Sequence, residues 1–514
     1  MSTTDAPLPP VSPEPITAAS GPAAPARVLG PFSAMSVVIG AIIGVGIFFT
    51  PSKVASLTGD GGLALLAWAI AGLIALCGAL VFAELGARYH DSGAQYQILR
   101  DAYGPCPAFL FVFCNATAIQ GGAVGIIAFI CASNLVAIGL PTGQKADATL
   151  VLLVSCALIG SVIAANAWGA RAGAGIQNAT VVAKVLALVV IAALAAIWGG
   201  QDVLAGATPP ADPENIPFEH GHAGARLSPV AGVLAALVPA FFSYGGWQHA
   251  LWISGEVREP RRNLPRAIIA GVVVVVLVYV LTAWSTMRLL GIDGVAGSTA
   301  LAADAVGVVS PSLGRRLIAG AVAVSAFGVL NAQLLSGPRL VYAMARDGRF
   351  FRAFGRLTTR GTPGLAIGLI GGTGLVLLLV AGPGGVDRLL TGVVFIDGVF
   401  FALTGVALFV LRRRERGRKE EHQAASDSQS GGEAPGRPSG AGGVVAGAKT
   451  ERSTRGFRVP LFPLVPALFV LGEVGVLIGS YLDPATLRAA IIGLGWIAVA
   501  AVMYVVWFRG GRGR

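Results

Sequence analysis

Two glycine clusters set inside apolar stretches carry the chemistry most legible in this sequence. The first is Ile42-Ile43-Gly44-Val45-Gly46, within Ser36 to Pro51; the second is Phe242-Ser243-Tyr244-Gly245-Gly246, within Leu237 to Trp252. Glycine weakens a helix interior by about 1 kcal/mol relative to alanine and admits backbone angles that end a helix. A membrane helix broken at such a point leaves unpaired carbonyls where its first half stops. It leaves free N–H groups, at the positive end of the dipole, where its second half begins. The N–H groups after Gly44-Val45-Gly46 suit a carboxylate. The carbonyls before them, with those near Ala240 to Ser243, suit an ammonium. Together they match the zwitterionic end of an amino acid, with Phe242 placed to cover it. Either cluster alone is equally consistent with close helix packing through small residues. Two corresponding breaks, five apolar spans apart, point to the central site of a transporter.

Single ionisable or polar residues inside apolar spans are the next candidates. Lys184 sits mid-span between Ala179-Thr-Val-Val-Ala and Val185-Leu-Ala-Leu. Its insertion costs roughly 3 kcal/mol, so it is expected to face the interior and to have partners. Asp397, in Phe395-Ile-Asp-Gly-Val-Phe-Phe, lines the substrate pocket, takes part in proton coupling, or only bonds a neighbouring helix. Gln248 and His249 follow the second break and face either the substrate or another helix. Asn115 and Asn134 are weaker candidates. Glu84, Glu256 and Arg339 fall near span ends and read as gate or structural ion pairs, and Glu473 as packing or a dimer contact.

The elements that must position these groups are membrane helices. At 514 residues, 54% hydrophobic and 12% charged, the composition is that of a polytopic membrane protein. The formal charge of +11 sits in short loops, which speaks for topology rather than nucleic acid. Twelve spans are expected near 31–50, 62–85, 107–139, 149–167, 175–199, 228–255, 265–291, 316–345, 363–382, 388–411, 460–482 and 486–508. The Lys/Arg distribution puts both termini in the cytoplasm. The breaks in spans one and six imply an inverted repeat, with residues 31–199 as one copy and 228–411 as the other. Around these copies the reading places a disordered tail at 1–30, an extracellular loop at 200–227 and a disordered linker at 412–458. Two further spans occupy 459–508 and a short tail 509–514. The five cysteines have no paired spacing and read as buried thiols.

With these residues in view, the chain resembles the amino acid–polyamine–organocation superfamily of permeases, nearest its L-type amino acid transporter and related bacterial branches. The resemblance covers about residues 31–411. It rests on Ile42-Ile-Gly-Val-Gly-Ile-Phe48, Phe242-Ser-Tyr-Gly-Gly-Trp247 and the more specific Glu256-Val-Arg-Glu-Pro-Arg-Arg-Asn-Leu-Pro265. Ala83-Glu-Leu-Gly86, Gly93-Ala-Gln-Tyr96 and the segment from Asn331 through Arg346-Asp-Gly348 to Thr362-Pro363 add to it. It implies an all-α, LeuT-like core of two five-helix inverted repeats with helices one and six discontinuous. It places the substrate carboxylate at the backbone of Val45 and Gly46, and the amine at carbonyls near Ile42, Phe242 and Gly245. Lys184 resembles the fifth-span lysine of sodium-independent members, whose ammonium stands where related symporters hold sodium, with the Gly40 carbonyl and Ser325 as partners. Two departures stand out. Val45 replaces a common serine, and Gln95 replaces the usual glutamate of a Gly-Gly-Glu-Tyr motif.

The expected function is secondary active amino acid transport by alternating access, sodium-independent and either proton-coupled or exchanging. An amino acid or amine exporter or antiporter is the alternative, and a non-transporting sensor a remoter one. No HExxH, GxSxG or Walker motif favours an enzyme. No cofactor or metal is expected. The implied partners are a small amino acid or amine and the lipid bilayer, with a homodimer open.

Overall fold

The computed structural model describes residues 25–140, 146–198, 228–298, 301–307, 311–381, 386–430, 456–482 and 484–508. The expected tail up to residue 24, the loop at 200–227, the linker from 431 to 455 and the tail at 509–514 lie outside the described residues. So do some side chains within the described stretches, that of Phe242 among them.

Eighteen α-helices follow one another in the described residues. The first broken span is α1 (Pro31–Ile42) and α2 (Thr50–Thr58), joined through a 3-10 turn at Gly46–Phe48. Then come α3 (Gly61–Arg88), α4 (Ala94–Tyr103), α5 (Pro105–Cys114), α6 (Gln120–Gly139), α7 (Ala148–Trp168) and α8 (Ala170–Trp198). The second broken span is α9 (Pro229–Ser243) and α10 (His249–Trp252). The rest are α11 (Pro260–Gly297), α12 (Leu301–Gly307), α13 (Pro311–Ser336), α14 (Pro338–Arg346), α15 (Gly364–Ala381), α16 (Val386–Ser430), α17 (Leu464–Leu482) and α18 (Pro484–Met503). Among the described residues there is no strand, only an isolated bridge between Leu29 and Val257. Eight helices in the described residues are long and apolar enough to cross a membrane. Four shorter apolar helices fall at the expected spans one, six, nine and eleven.

The differences from expectation have physical causes. α4 is an amphipathic helix of ten residues, too short to register as an apolar span. α11 runs past the expected end at 291 by turning at Gly291, whose φ of 69° suits glycine. α16 continues beyond Leu411, so the linker expected from 412 begins as helix. Its residues Arg412 to Gln423 are mostly strong helix formers, and Arg412 is held by Glu84. Leu29, in the expected N-terminal tail, is buried and donates its N–H to the Glu256 carbonyl at 2.8 Å, while Arg258 N–H donates to Leu29 at 2.9 Å.

α1 packs on α10 and α2 on α9, the pairing expected of two broken helices that run in opposite directions. Large aromatic side chains fill the centre. Trp68, Tyr244 and Tyr279 meet edge-on or tilted at 5.1 to 5.8 Å between centroids, a geometry that aligns ring edges with ring faces.

Candidate functional site at two broken helices

Both helices stop where the glycines stand. α1 ends at Ile42, and the chain then turns tightly, with Gly44 N–H donating to the Ile42 carbonyl at 2.7 Å before the turn at Val45 begins. α9 ends at Ser243 and the chain resumes at His249. Gly246 has φ +137°, and a Cβ there would stand 2.8 Å from the Ala41 carbonyl carbon and from the Ile42 nitrogen. The two breaks therefore cross backbone against backbone, an approach that only glycine allows. A Cβ at Gly40 would stand 1.7 Å from Gln177 Nε2, so the first span also presses closely on α8.

Polar side chains hold the break open in a defined shape. Lys184 Nζ donates to the Gly40 carbonyl at 3.0 Å and to the Ile43 carbonyl at 2.6 Å. Ser325 Oγ lies 3.2 Å from the carbonyl oxygens of Ile43 and Gly44. Tyr279 donates its hydroxyl to the Ile42 carbonyl at 2.9 Å. Ser243 Oγ donates to Thr50 Oγ1 at 2.9 Å, joining α9 to α2, and Tyr244 donates to the Trp68 carbonyl at 3.2 Å. Lys184 and Ser325 are fully buried, so their bonds are made in a medium where an unmade one costs about 1–3 kcal/mol.

The arrangement sharpens the chemistry read from sequence. The carbonyls closing α1 are already occupied: Ile42 by Gly44 N–H and Tyr279, Ile43 by Lys184 and Ser325. The N–H groups of Val45 and Gly46 precede the first bond of their turn, Phe48 N–H to Val45 at 3.1 Å, and are the donors a helix start leaves over. For an amine, the last-turn carbonyls of α9 and those through Gly245 are the corresponding acceptors.

The other predicted residues distribute unevenly. His249 Nδ1 is 2.5 Å from Ser336 Oγ, and its ring lies 4.4 Å from that of Trp252, which engages it with the end of α13. Gln248 is buried with Oε1 unpartnered among the described residues. Asn134 bonds back to the Ile130 carbonyl of its own helix. Asn115 opens a π-helical turn and is buried, with both side-chain polar atoms lacking a partner among the described residues. Such turns recur at functional sites. Asp397 lies on α16 beside Glu473 of α17. Sequence reading missed Tyr279; the available signal was one tyrosine in a span whose other hydroxyls, at Thr282, Ser285 and Thr286, bond back to their own helix. It also missed the chain from Asn166 through Asn331 to Gln177, bonded at 3.0 and 2.9 Å, which joins α7, α13 and α8.

Below the break the protein is tightly closed. Arg339 pairs with Glu256 through Nε–Oε1 at 2.9 Å and Nη2–Oε2 at 3.3 Å, with both side chains buried. Trp252 donates to Gln95 Oε1 at 2.7 Å, and Gln95 Nε2 donates to Thr404 at 3.0 Å. Gln95 thus bonds a donor and an acceptor at once, which a carboxylate would not do. Tyr96 and Arg100 of α4 both bond Asp347, at 2.7 and 2.8 Å. Burial and the Asp347 carboxylate hold the Tyr96 phenol protonated, well above its usual range. Glu84 is held by Arg88, Arg412 and the Val459 N–H.

The model of the family described as amino acid permease matches residues 29–446. The chain belongs to the amino acid permease family. Its relatives include the b(0,+)-type amino acid transporter 1 of Homo sapiens, 31% identical over 394 residues, covering 75% of this chain and 76% of that one. The serine/threonine exchanger SteT of Bacillus subtilis (strain 168) is 26% identical over 484 residues, covering 92% of this permease and 95% of the exchanger. Among solved structures, a nucleobase-cation-symport-1 family transporter, Mhp1, in a closed conformation with bromovinylhydantoin bound, superposes with a TM-score of 0.50. The two share 14% identity, and the match covers 93% of this permease and 96% of Mhp1. That likeness is one of fold. This permease is a multi-pass membrane protein of a transporter fold that moves amino acids across a membrane by alternating access.

Proposed function

We propose that this permease transports amino acids across the cytoplasmic membrane without sodium, either with a proton or in exchange for a second amino acid. The observation that carries the reading is the Lys184 ammonium on the Gly40 and Ile43 carbonyls at the first break. A fixed positive charge there satisfies the acceptors that a bound sodium ion would need. The substrate carboxylate rests on the Val45 and Gly46 N–H groups, where a helix start favours an anion. Its amine rests on carbonyls of the second break between Phe242 and Gly245. Ile43, Gly44, Ser243, Tyr244 and Gly246 shape the pocket. Twelve spans, with two inverted five-helix repeats and both termini cytoplasmic, complete the reading. The opposed packing of α1 on α10 and α2 on α9 supports the repeat.

Exchange has a specific argument. A relative that covers 92% of this chain is an exchanger, and a site whose cation is covalently fixed has no ion gradient to draw on at that position. Counterflow in sodium-free proteoliposomes tests it. Labelled amino acid should accumulate only in vesicles preloaded with unlabelled substrate, whereas equal uptake into empty vesicles under a proton gradient would make the protein a symporter. The substrate class is read by thermal stabilisation of purified protein with amino acids, amines and amino-group-free acids. Stabilisation by the last group alone would overturn the zwitterion argument.

A further inference from the structure

We propose that Asp397 and Glu473 share a single proton between α16 and α17, and that this proton site is linked to the second helix break through Trp247. Glu473 is 1% exposed, its Oε1 has no hydrogen-bond partner among the described residues, and neither has the buried Asp397 Oδ1. The two carboxyl groups are near enough for their charges to interact. Glu473 Oε2 faces Gly398, 3.8 Å from where a Cβ would stand there. Two carboxylates side by side in a membrane interior cannot both stay ionised without a cation, and the simplest ligand that satisfies them is one proton. A metal ion would need more oxygens than this pair supplies, and the described residues contain no cluster of three or more metal-ligating side chains.

Among the described side chains no cation reaches this level. Along α16, Arg388 precedes Asp397 by nine residues, about 14 Å along the helix, and Arg412 follows it by fifteen, about 22 Å. α3 brings Cys77, with Glu84 and Arg88 at its far end, and Glu84 is itself tied to Arg412. α4 brings Tyr96, Arg100, Asp101 and Tyr103, with Arg100 committed to Asp101 and Asp347. α6 brings Cys131, α18 brings Arg488 near its start, and the π turn after it brings Tyr504. α9 and the π turn at Asn115–Ile119 bring no ionisable side chain.

The link to the break is one helical turn on each side. Phe401 follows Asp397 by four residues and Phe469 precedes Glu473 by four, so each aromatic shares its helix face with a carboxyl. Phe401 stacks on Trp247 at 5.6 Å and Phe469 meets it edge-on at 6.1 Å. Trp247 directly follows Gly245-Gly246. Loss of the shared proton sets two negative charges against each other, and the repulsion that separates α16 from α17 loosens the aromatic clamp on the second break.

The inference rests on the transport reading above, and two measurements separate their failures. The first is amino acid counterflow in proteoliposomes with equal pH on both sides, stepped from acidic to alkaline. The wild type should change rate with pH, and E473Q and D397N should each flatten the profile while retaining counterflow. A profile unchanged in both variants overturns the proposal. The second is infrared difference spectroscopy of purified protein during a pH titration, which needs no transport. A protonated-carboxyl band that persists at neutral pH and disappears in E473Q is the expected result. The same band intact in both E473Q and D397N overturns the proposal, whatever the counterflow shows.

Discussion

At the scale of single residues, the break in the first span is held by hydrogen bonds whose removal has a predictable direction. K184A leaves the Gly40 carbonyl without its Lys184 partner and the Ile43 carbonyl with Ser325 alone. Each buried acceptor left unpaired costs about 1–3 kcal/mol. The expected outcome is a lower melting temperature and uptake reduced to background, which added sodium does not restore. Recovery of K184A by sodium would show that the ammonium merely fills a site the protein can still use for the ion. Gly246 offers a second test. G246A places a methyl 2.8 Å from backbone atoms that cannot yield and forces alanine to φ +137°. Overpacking of this kind costs about 1–3 kcal/mol, so both stability and transport should fall. G160A, where nothing stands within 4 Å of the new methyl, should leave both unchanged. Equal behaviour of the two alanine variants in a thermal melt would contradict the backbone crossing.

At the scale of elements, the closed end beneath the break depends on α10, α4, α13 and α14 meeting through few but buried contacts. The Glu256–Arg339 pair is an ion pair buried on both sides. Removing one partner of such a pair costs about 3–5 kcal/mol, because the other charge is left buried alone, whereas replacing both by apolar residues is often neutral. E256L and R339L should each melt well below the wild type, and E256L/R339L should recover most of the loss. A double variant no better than the singles would mean that the pair is not the main tie. The sequence showed these residues as a gate or structural pair without showing that they meet, because their partners lie 83 positions apart. Both helix breaks were readable, since glycine pairs inside apolar runs have a direct conformational consequence. Of the two partners of Lys184 suggested by family resemblance, the Gly40 carbonyl bonds it, whereas Ser325 meets it only through the Ile43 carbonyl that both reach. Tyr279 was not readable, because an isolated tyrosine in an apolar span has no spacing that says which carbonyl it will cap. The proximity of Asp397 and Glu473 was equally hidden, since it arises from the packing of α16 on α17.

At the scale of the whole molecule, the fold class was legible because twelve apolar stretches separated by arginine-bearing loops leave little else to build. The helices that escaped notice, α4 and α12, are short and lie between spans, where hydropathy carries no signal. The asymmetry of arginine also makes a topological prediction. A cysteine placed at Ala353, among Arg349, Arg352 and Arg356, should react with a membrane-impermeant thiol reagent only from the cytoplasmic side. Labelling from outside intact cells would invert the topology and with it the direction in which the closed end faces.

The most direct test of the central claim is initial-rate amino acid uptake into proteoliposomes with sodium replaced throughout by choline. Backbone recognition of the substrate beside a fixed Lys184 ammonium predicts the same rate in both media. A rate that falls to background without sodium would contradict it.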